Sequence, residues 1–174
     1  IDLVGRVADL KGAYKQLACC PAHMCFSVIA LQWKDSSVEF FQALSLMFGQ
    51  TAAVYAFLRF SRAISALASS LLHLPCVEFF DDFTQVEPLR TSSSAHSSLE
   101  ILLDLLGWEI SFGEKGLPFA KTFVSLGVSV SLPADGGKVI ELRNKPGRAK
   151  SIKEEVLRVI AGSMLVGFRE ALSC

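Results

Sequence analysis

Two adjacent carboxylates enclosed by phenylalanine, Phe79-Phe80-Asp81-Asp82-Phe83, constrain the fold of this chain more than any other feature. Bulky apolar side chains favour burial in a sheet, whereas ionised carboxylates resist it unless something pairs with them. A tight hairpin turn reconciles the two by carrying both acids to the tip of two strands, Cys76 to Phe80 and Phe83 to Val86. Such a tip is either an ordinary turn, since aspartate is a common turn residue, or a site for a hard cation such as Mg²⁺ that offsets the repulsion between the carboxylates.

A second acid sharpens the choice. Residues 2 to 8 read as a short strand that delivers Asp9 at its end, and Gly12 allows a tight turn after it. If that strand lies beside the Asp81-Asp82 turn in one sheet, the three carboxylates converge. Carboxylates on neighbouring strands suit two-metal phosphoryl transfer, in which the ions activate a hydroxyl and steady the leaving group.

The remaining pattern places this pair in a larger sheet. Met24 to Gln32 and Val38 to Leu46 read as a hairpin around Lys34-Asp35-Ser36-Ser37. Val54, Phe57, Leu58, Ile64, Leu67 and Leu71 recur at helical spacing from Thr51 to about Leu72, and Pro75 stops that helix. Ser92 to Ser94 cap an expected helix to Leu106, with Gly107 as its stop. Trp108 to Phe112, Thr122 to Ser131 and Val139 to Leu142 read as strands, and Ser151 to Leu172 as a final amphipathic helix. The order predicts an α+β fold, with a small, mostly antiparallel sheet covered by helices on one face and a helical C-terminal element.

Composition narrows the class. Of 174 residues, 51% are apolar, which excludes disorder, and Lys+Arg balance Asp+Glu at 17 each. The balance conceals an acidic centre from Glu78 to Lys115 and a basic flank from Lys138 to Arg158, an arrangement that suits cations at one place and phosphates at another but also fits ordinary surface charge. Five cysteines without regular spacing imply reduced thiols and an intracellular setting. Cys19-Cys20-x-x-His23-x-Cys25 lacks a second ligand pair at zinc-finger spacing. Arg59, Arg62 and His73 lie in the most apolar stretch, so a buried helix is expected rather than a membrane span.

The motifs resemble those of reverse transcriptases, in particular retrotransposon enzymes of the long-terminal-repeat and tyrosine-recombinase kinds. Asp9-Leu10-Lys11-Gly12-Ala13-Tyr14-Lys15-Gln16 is similar to motif A, and Phe79-Phe80-Asp81-Asp82 to motif C, with Phe where Tyr is usual. Phe48-Gly49-Gln50 through Phe57 is similar to motif B, Leu106-Gly107-Trp108 through Glu114-Lys115 to motif D, and Phe123 through Val128 to motif E, the primer grip. The five stand in the family's order over residues 2 to 131.

The resemblance implies a polymerase palm with a ferredoxin- or RRM-like core that adds dNTPs to a primer 3′-hydroxyl on an RNA or DNA template. It implies Asp9, Asp81 and Asp82 as ligands of two Mg²⁺ or Mn²⁺ ions and Lys115 as a proton donor to the departing pyrophosphate. It implies Leu10, Lys11, Gly12, Ala13, Tyr14, Phe48, Gly49 and Gln50 at the nucleotide, with Tyr14 excluding a ribose 2′-hydroxyl, and Leu126 and Gly127 at the primer end. Core packing is the alternative for Tyr14 and for residues 123 to 128, and a solvated surface position for Lys115.

Motif B departs from the family pattern: Met47 and Val54 stand where proline is common. The chain opens at Ile1 in what reads as mid-strand, so the expectation is a palm at 1–142 lacking most of its fingers, then a basic connector and helix at 143–174 that could begin a thumb. The rest would lie in a larger polyprotein with RNase H or integrase or recombinase parts. The rival expectation is a palm-like domain that binds nucleic acid or protein and performs no chemistry; a nucleotide cyclase is a fainter alternative, opposed by Tyr14 and the motif E run.

Overall fold

The computed structural model describes residues 2–160 apart from 112, 114, 115, 134–136 and 138. Its core is a three-stranded antiparallel sheet in the order β1 (Leu3–Asp9), β5 (Asp82–Pro88), β4 (Cys76–Phe79). Strand periodicity sorts each strand onto two faces. Val4, Arg6 and Ala8 lie opposite Glu87, Gln85 and Phe83, and all six are buried. Gly5, Val7 and Asp9 lie opposite Val86, Thr84 and Asp82 on the other face.

Two helices cover the first face. α1 (Thr51–Leu72) spans the predicted range and contributes Ala53, Phe57, Ile64 and Ala68 to the core. α2 (Leu89–Leu105) contributes Ala95, Leu99 and Leu103. It begins three residues before the expected serine cap, because Pro88, with φ fixed at −58°, leads the chain straight from β5 into the first turn. Ser92 then lies inside the helix and donates back to the Leu89 carbonyl at 2.9 Å.

A second three-stranded antiparallel sheet, β6 (Thr122–Ser125), β7 (Val128–Ser131) and β8 (Glu141–Asn144), lies against the other face of β1. Its approach depends on Gly5: a Cβ there would stand 2.1 Å from Cε1 of Phe123. Reciprocal 2.9 Å bonds between Gly5 and Ala120, and a 2.8 Å Thr84–Ser125 hydroxyl bond, fix the contact.

The predicted hairpin forms as β2 (Val28–Gln32) and β3 (Val38–Gln42), each four residues shorter at its outer end than expected because residues 24–26 belong to a 3₁₀ turn, Pro21–Phe26; both strands are exposed along their length. The expected strand at 108 to 112 reduces, among its described residues, to one bridge between Leu10 and Ile110. The Gln16 amide explains why: it accepts from the Glu109 N–H at 2.7 Å and donates to the Lys11 carbonyl at 2.8 Å, taking the two groups that would form the next ladder bond. β8 starts two residues later than expected, and α3 (Arg148–Ile160) three residues earlier; 161–174 lie outside the described residues. The protein is thus a mixed α+β fold of small antiparallel sheets and helices. Among the described residues no helix is long and apolar enough to cross a membrane.

A polar group is buried beneath α2. Arg6 is 3% exposed; its Nε donates to Gln85 Oε1 at 2.8 Å, its Nη1 meets the His96 ring, and its guanidinium lies 5.2 Å from the Phe119 ring centroid. His96 bonds onward to Glu100 at 2.9 Å. Burial, then the Arg6 charge, hold the His96 imidazole below its ordinary value, with Glu100 opposing them. A histidine that resists protonation when folded binds fewer protons than the unfolded chain between its depressed pKa and about 6.5. Its contribution is therefore complete above pH about 6.5 and declines as the solution is acidified toward the folded value. Melting temperature should fall more steeply from pH 7 to 5.5 in the wild type than in His96→Gln; parallel curves would show that His96 does not couple to folding.

Candidate active site

The β4–β5 hairpin turns on two residues, Phe80 and Asp81, after the closing pair Phe79–Asp82. Phe80 has φ 55°, a left-handed conformation that a bulky side chain rarely adopts. The turn holds Asp81 next to the end of β1, where the Leu10 N–H donates to the Asp81 carbonyl at 3.1 Å. Asp9 and Asp82 are direct partners across β1 and β5, so their side chains project from the same face. Asp9, Asp81 and Asp82 all line one cavity of about 530 Å³, together with Phe123, Leu126 and Lys145.

Asp9 is 6% exposed, and its Oδ2 accepts from the Ser111 hydroxyl at 2.6 Å while its carbonyl accepts from the Ser111 N–H at 2.8 Å. Sequence reasoning missed Ser111, which lies inside the stretch read as an ordinary strand. It also missed Ser61, whose buried hydroxyl donates to the Phe80 carbonyl. A signal for Ser61 existed: Ser61, Ser65 and Ser69 recur every four residues in an apolar helix.

Tyr14 is 5% exposed, stacked on Phe57 at 4.8 Å and tilted against Phe48 at 4.6 Å. Burial, then the negative charge of Asp81, raise its phenol above the usual range, and the ring belongs to the core. Leu10 and Ala13 are core residues, and Gly12 takes φ 57° before the short 3₁₀ turn Ala13–Gln16. Lys11 is exposed and paired with Glu109 at 2.9 Å. Phe48 is exposed, Gly49 takes φ 90°, and Gln50 is the N-cap of α1.

Leu126 and Gly127 form the β6–β7 turn with φ 51° and 76°, the two positive values of a type I′ hairpin. Arg148 Nη1 donates to the Gly127 carbonyl at 3.1 Å, tying the turn to the start of α3. The structure thus gathers the three aspartates and Leu126 on one cavity, sets Gly127 beside it, and puts Tyr14, Phe48, Gly49 and Gln50 at the start of α1. Lys115 lies outside the described residues.

A comparison with protein-family models and one with curated proteins find no match. The residues alone must therefore carry the chemistry.

Paired carboxylates on one wall supply the hard oxygen donors that Mg²⁺ and Mn²⁺ prefer. Two like charges directly opposite each other in a sheet repel, and a cation between them would reverse that cost. In residue type the wall suits a divalent ion. Among the described residues, however, no three His, Cys, Asp or Glu side chains are drawn together as a closed ligand set. The Cys19–Cys25 segment likewise forms no such set: Cys19, Cys20 and Cys25 are free thiols. Cys76, also free, is pushed up to about 12 by burial and the Glu78 charge, with Arg6 opposing, and stays an inert thiol.

Proposed function

We propose that this chain is the palm of a reverse transcriptase, an RNA-directed DNA polymerase that joins dNTPs to a primer 3′-hydroxyl. One observation carries the reading: Asp9 and Asp82 stand opposite each other in register, with Asp81 in the adjoining turn, and all three line one cavity. The antiparallel sheet, covered by helices on one face with its acids on the other, supports the ferredoxin- or RRM-like form of a polymerase palm.

Asp9, Asp81 and Asp82 would hold the divalent cations. When bound, such ions lower the pKa of an attacking hydroxyl and neutralise charge on the transferring phosphoryl group. The chain's own residues do the rest. Ser111 orients the Asp9 carboxylate. Leu126, projecting from a strained turn onto the same cavity, offers an apolar contact for the primer end. Tyr14, packed between Phe48 and Phe57 in the core, would be the ring that excludes a ribose 2′-hydroxyl. Lys145 on the cavity wall, with Arg143, Arg148 and Lys150 nearby in sequence, would contact backbone phosphates without reading sequence. Template, primer and dNTPs are the proposed partners, in an intracellular setting and within a longer retroelement polyprotein.

Melting temperature measured against Mg²⁺ and Mn²⁺ tests the site in this chain. A cation at a hundred times its Kd should stabilise the wild type by about 2.7 kcal/mol, and Asp81→Asn should remove most of that gain. No cation-dependent rise, or an equal rise in both proteins, overturns the site. Because a palm without fingers is not expected to extend a primer alone, primer extension on poly(rA)/oligo(dT) by the parent protein with its fingers restored, beside its Asp81→Asn variant, then separates polymerase from silent palm. The absence of a closed ligand set favours the second reading, a palm-like binding module without chemistry, and incorporation missing from both wild type and Asp81→Asn would select it.

A further inference from the structure

The turn that bears Asp81 is strained, and one helix residue holds it. Phe80 occupies a left-handed conformation that is unfavourable for a bulky residue, so something around it must fix that geometry. β4 is an edge strand, paired with β5 alone. The carbonyls on its far edge are met by serines of α1: Ser65 Oγ donates to Cys76 O at 3.3 Å, and Ser61 Oγ donates to Phe80 O. Ser69 Oγ continues the row to Leu74 O at 3.4 Å, before the strand begins. Ser65 and Ser69 thus hold ordinary backbone. Ser61, fully buried, holds the carbonyl of the strained residue next to Asp81.

We propose that Ser61 is a positioning residue: its hydroxyl pins the Phe80 carbonyl and so keeps the Phe80–Asp81 turn in the conformation that presents Asp81 and Asp82 to the cavity. The assignment rests on reading that cavity as a cation site. A hydroxyl that only stabilised the fold would be interchangeable with Ser65, whose bond reaches the same strand four residues earlier. Ser61 differs because a Phe80 carbonyl free to rotate would carry the Asp81 backbone with it. Outer-shell partners of this kind influence metal affinity through the ligand they orient.

The test compares Mn²⁺ affinity, read by electron paramagnetic resonance of free Mn²⁺, with melting temperature in EDTA. Ser61→Ala and Ser65→Ala should both lower the melting temperature, but only Ser61→Ala should weaken Mn²⁺, by about tenfold. Equal weakening in both, or none in Ser61→Ala, overturns the proposal. A second pair decides the matter should Ser61→Ala melt too low to titrate. In a Phe80→Gly background the turn takes positive φ without strain, so adding Ser61→Ala should change Mn²⁺ affinity by less than about twofold. A tenfold loss there overturns the assignment. A wild-type chain that binds no Mn²⁺ at all overturns the cation site itself, and the role of Ser61 with it.

Discussion

Phe57→Ala should remove about 3–5 kcal/mol of stability, the range for deleting a fully buried phenylalanine ring. That is a large part of the roughly 5–15 kcal/mol available to a domain. Phe57 is completely buried, stacked on Tyr14 at 4.8 Å and edge-on to Trp108 at 6.2 Å. Its removal leaves a void between α1, the first 3₁₀ turn and the chain after α2, and none of these can collapse without dragging the others. Urea unfolding followed by circular dichroism gives the measurement: with a slope of about 1–3 kcal/mol per molar, the midpoint should fall by more than about 1 M. A fall under 0.3 M, of order 0.5 kcal/mol on that scale, would show that the aromatic stack does not anchor the core. Phe57 lies one turn before Ser61 on the same helix face, so its loss should also weaken cation binding.

Gly5→Val should be the second severe change, costing about 3 kcal/mol, because the Phe123 ring occupies the space the new side chain needs. The closest ring atoms lie 2.1, 2.5 and 2.7 Å from the position of a Cβ at residue 5. β1 cannot retreat, being held by β5 on one side and by the reciprocal Ala120 bonds on the other. The hairpin of β6 and β7 must therefore move, and with it the Leu126 turn that borders the aspartate cavity. Shrinking the obstacle should reverse the effect: Gly5→Val with Phe123→Ala should be more stable than Gly5→Val alone, a coupling that a double-mutant cycle in urea reads directly. Strictly additive losses would mean that the two residues do not share the space.

The contrast between these residues shows what the sequence discloses. The span of α1 was legible, because apolar positions at helical spacing, the Phe48-Gly49 break before it and Pro75 after it agree. That a hairpin turns beside the two acids was legible, because acids embedded among phenylalanines leave few alternatives, but its position was not: the turn falls on Phe80–Asp81 rather than Asp81–Asp82, and Asp82 opens β5. The start of α2 was not, since three serines resemble a cap more than Pro88 does, although the proline performs the task. The pairing of Asp9 with Asp82 was inferred from chemistry and could not be read from spacing, because a strand pattern does not state which residue faces which. Arg6, Gln85 and His96 were invisible for another reason: each looks like a surface residue, and they become a core group only when strand and helix meet.

That buried group also governs which way the carboxylates point. Along β1, odd and even positions have opposite fates, and sliding the strand by a single step against β5 would turn Asp9 inward under the helices and swing the Arg6 side chain to the opposite face. Such a slip would strand Gln85 in apolar surroundings without its guanidinium partner, an arrangement far dearer than losing one surface contact. Side chains packed beneath the helices thereby choose the parity of the strand, and the acids keep to the opposite face because Arg6 has only one place to hide.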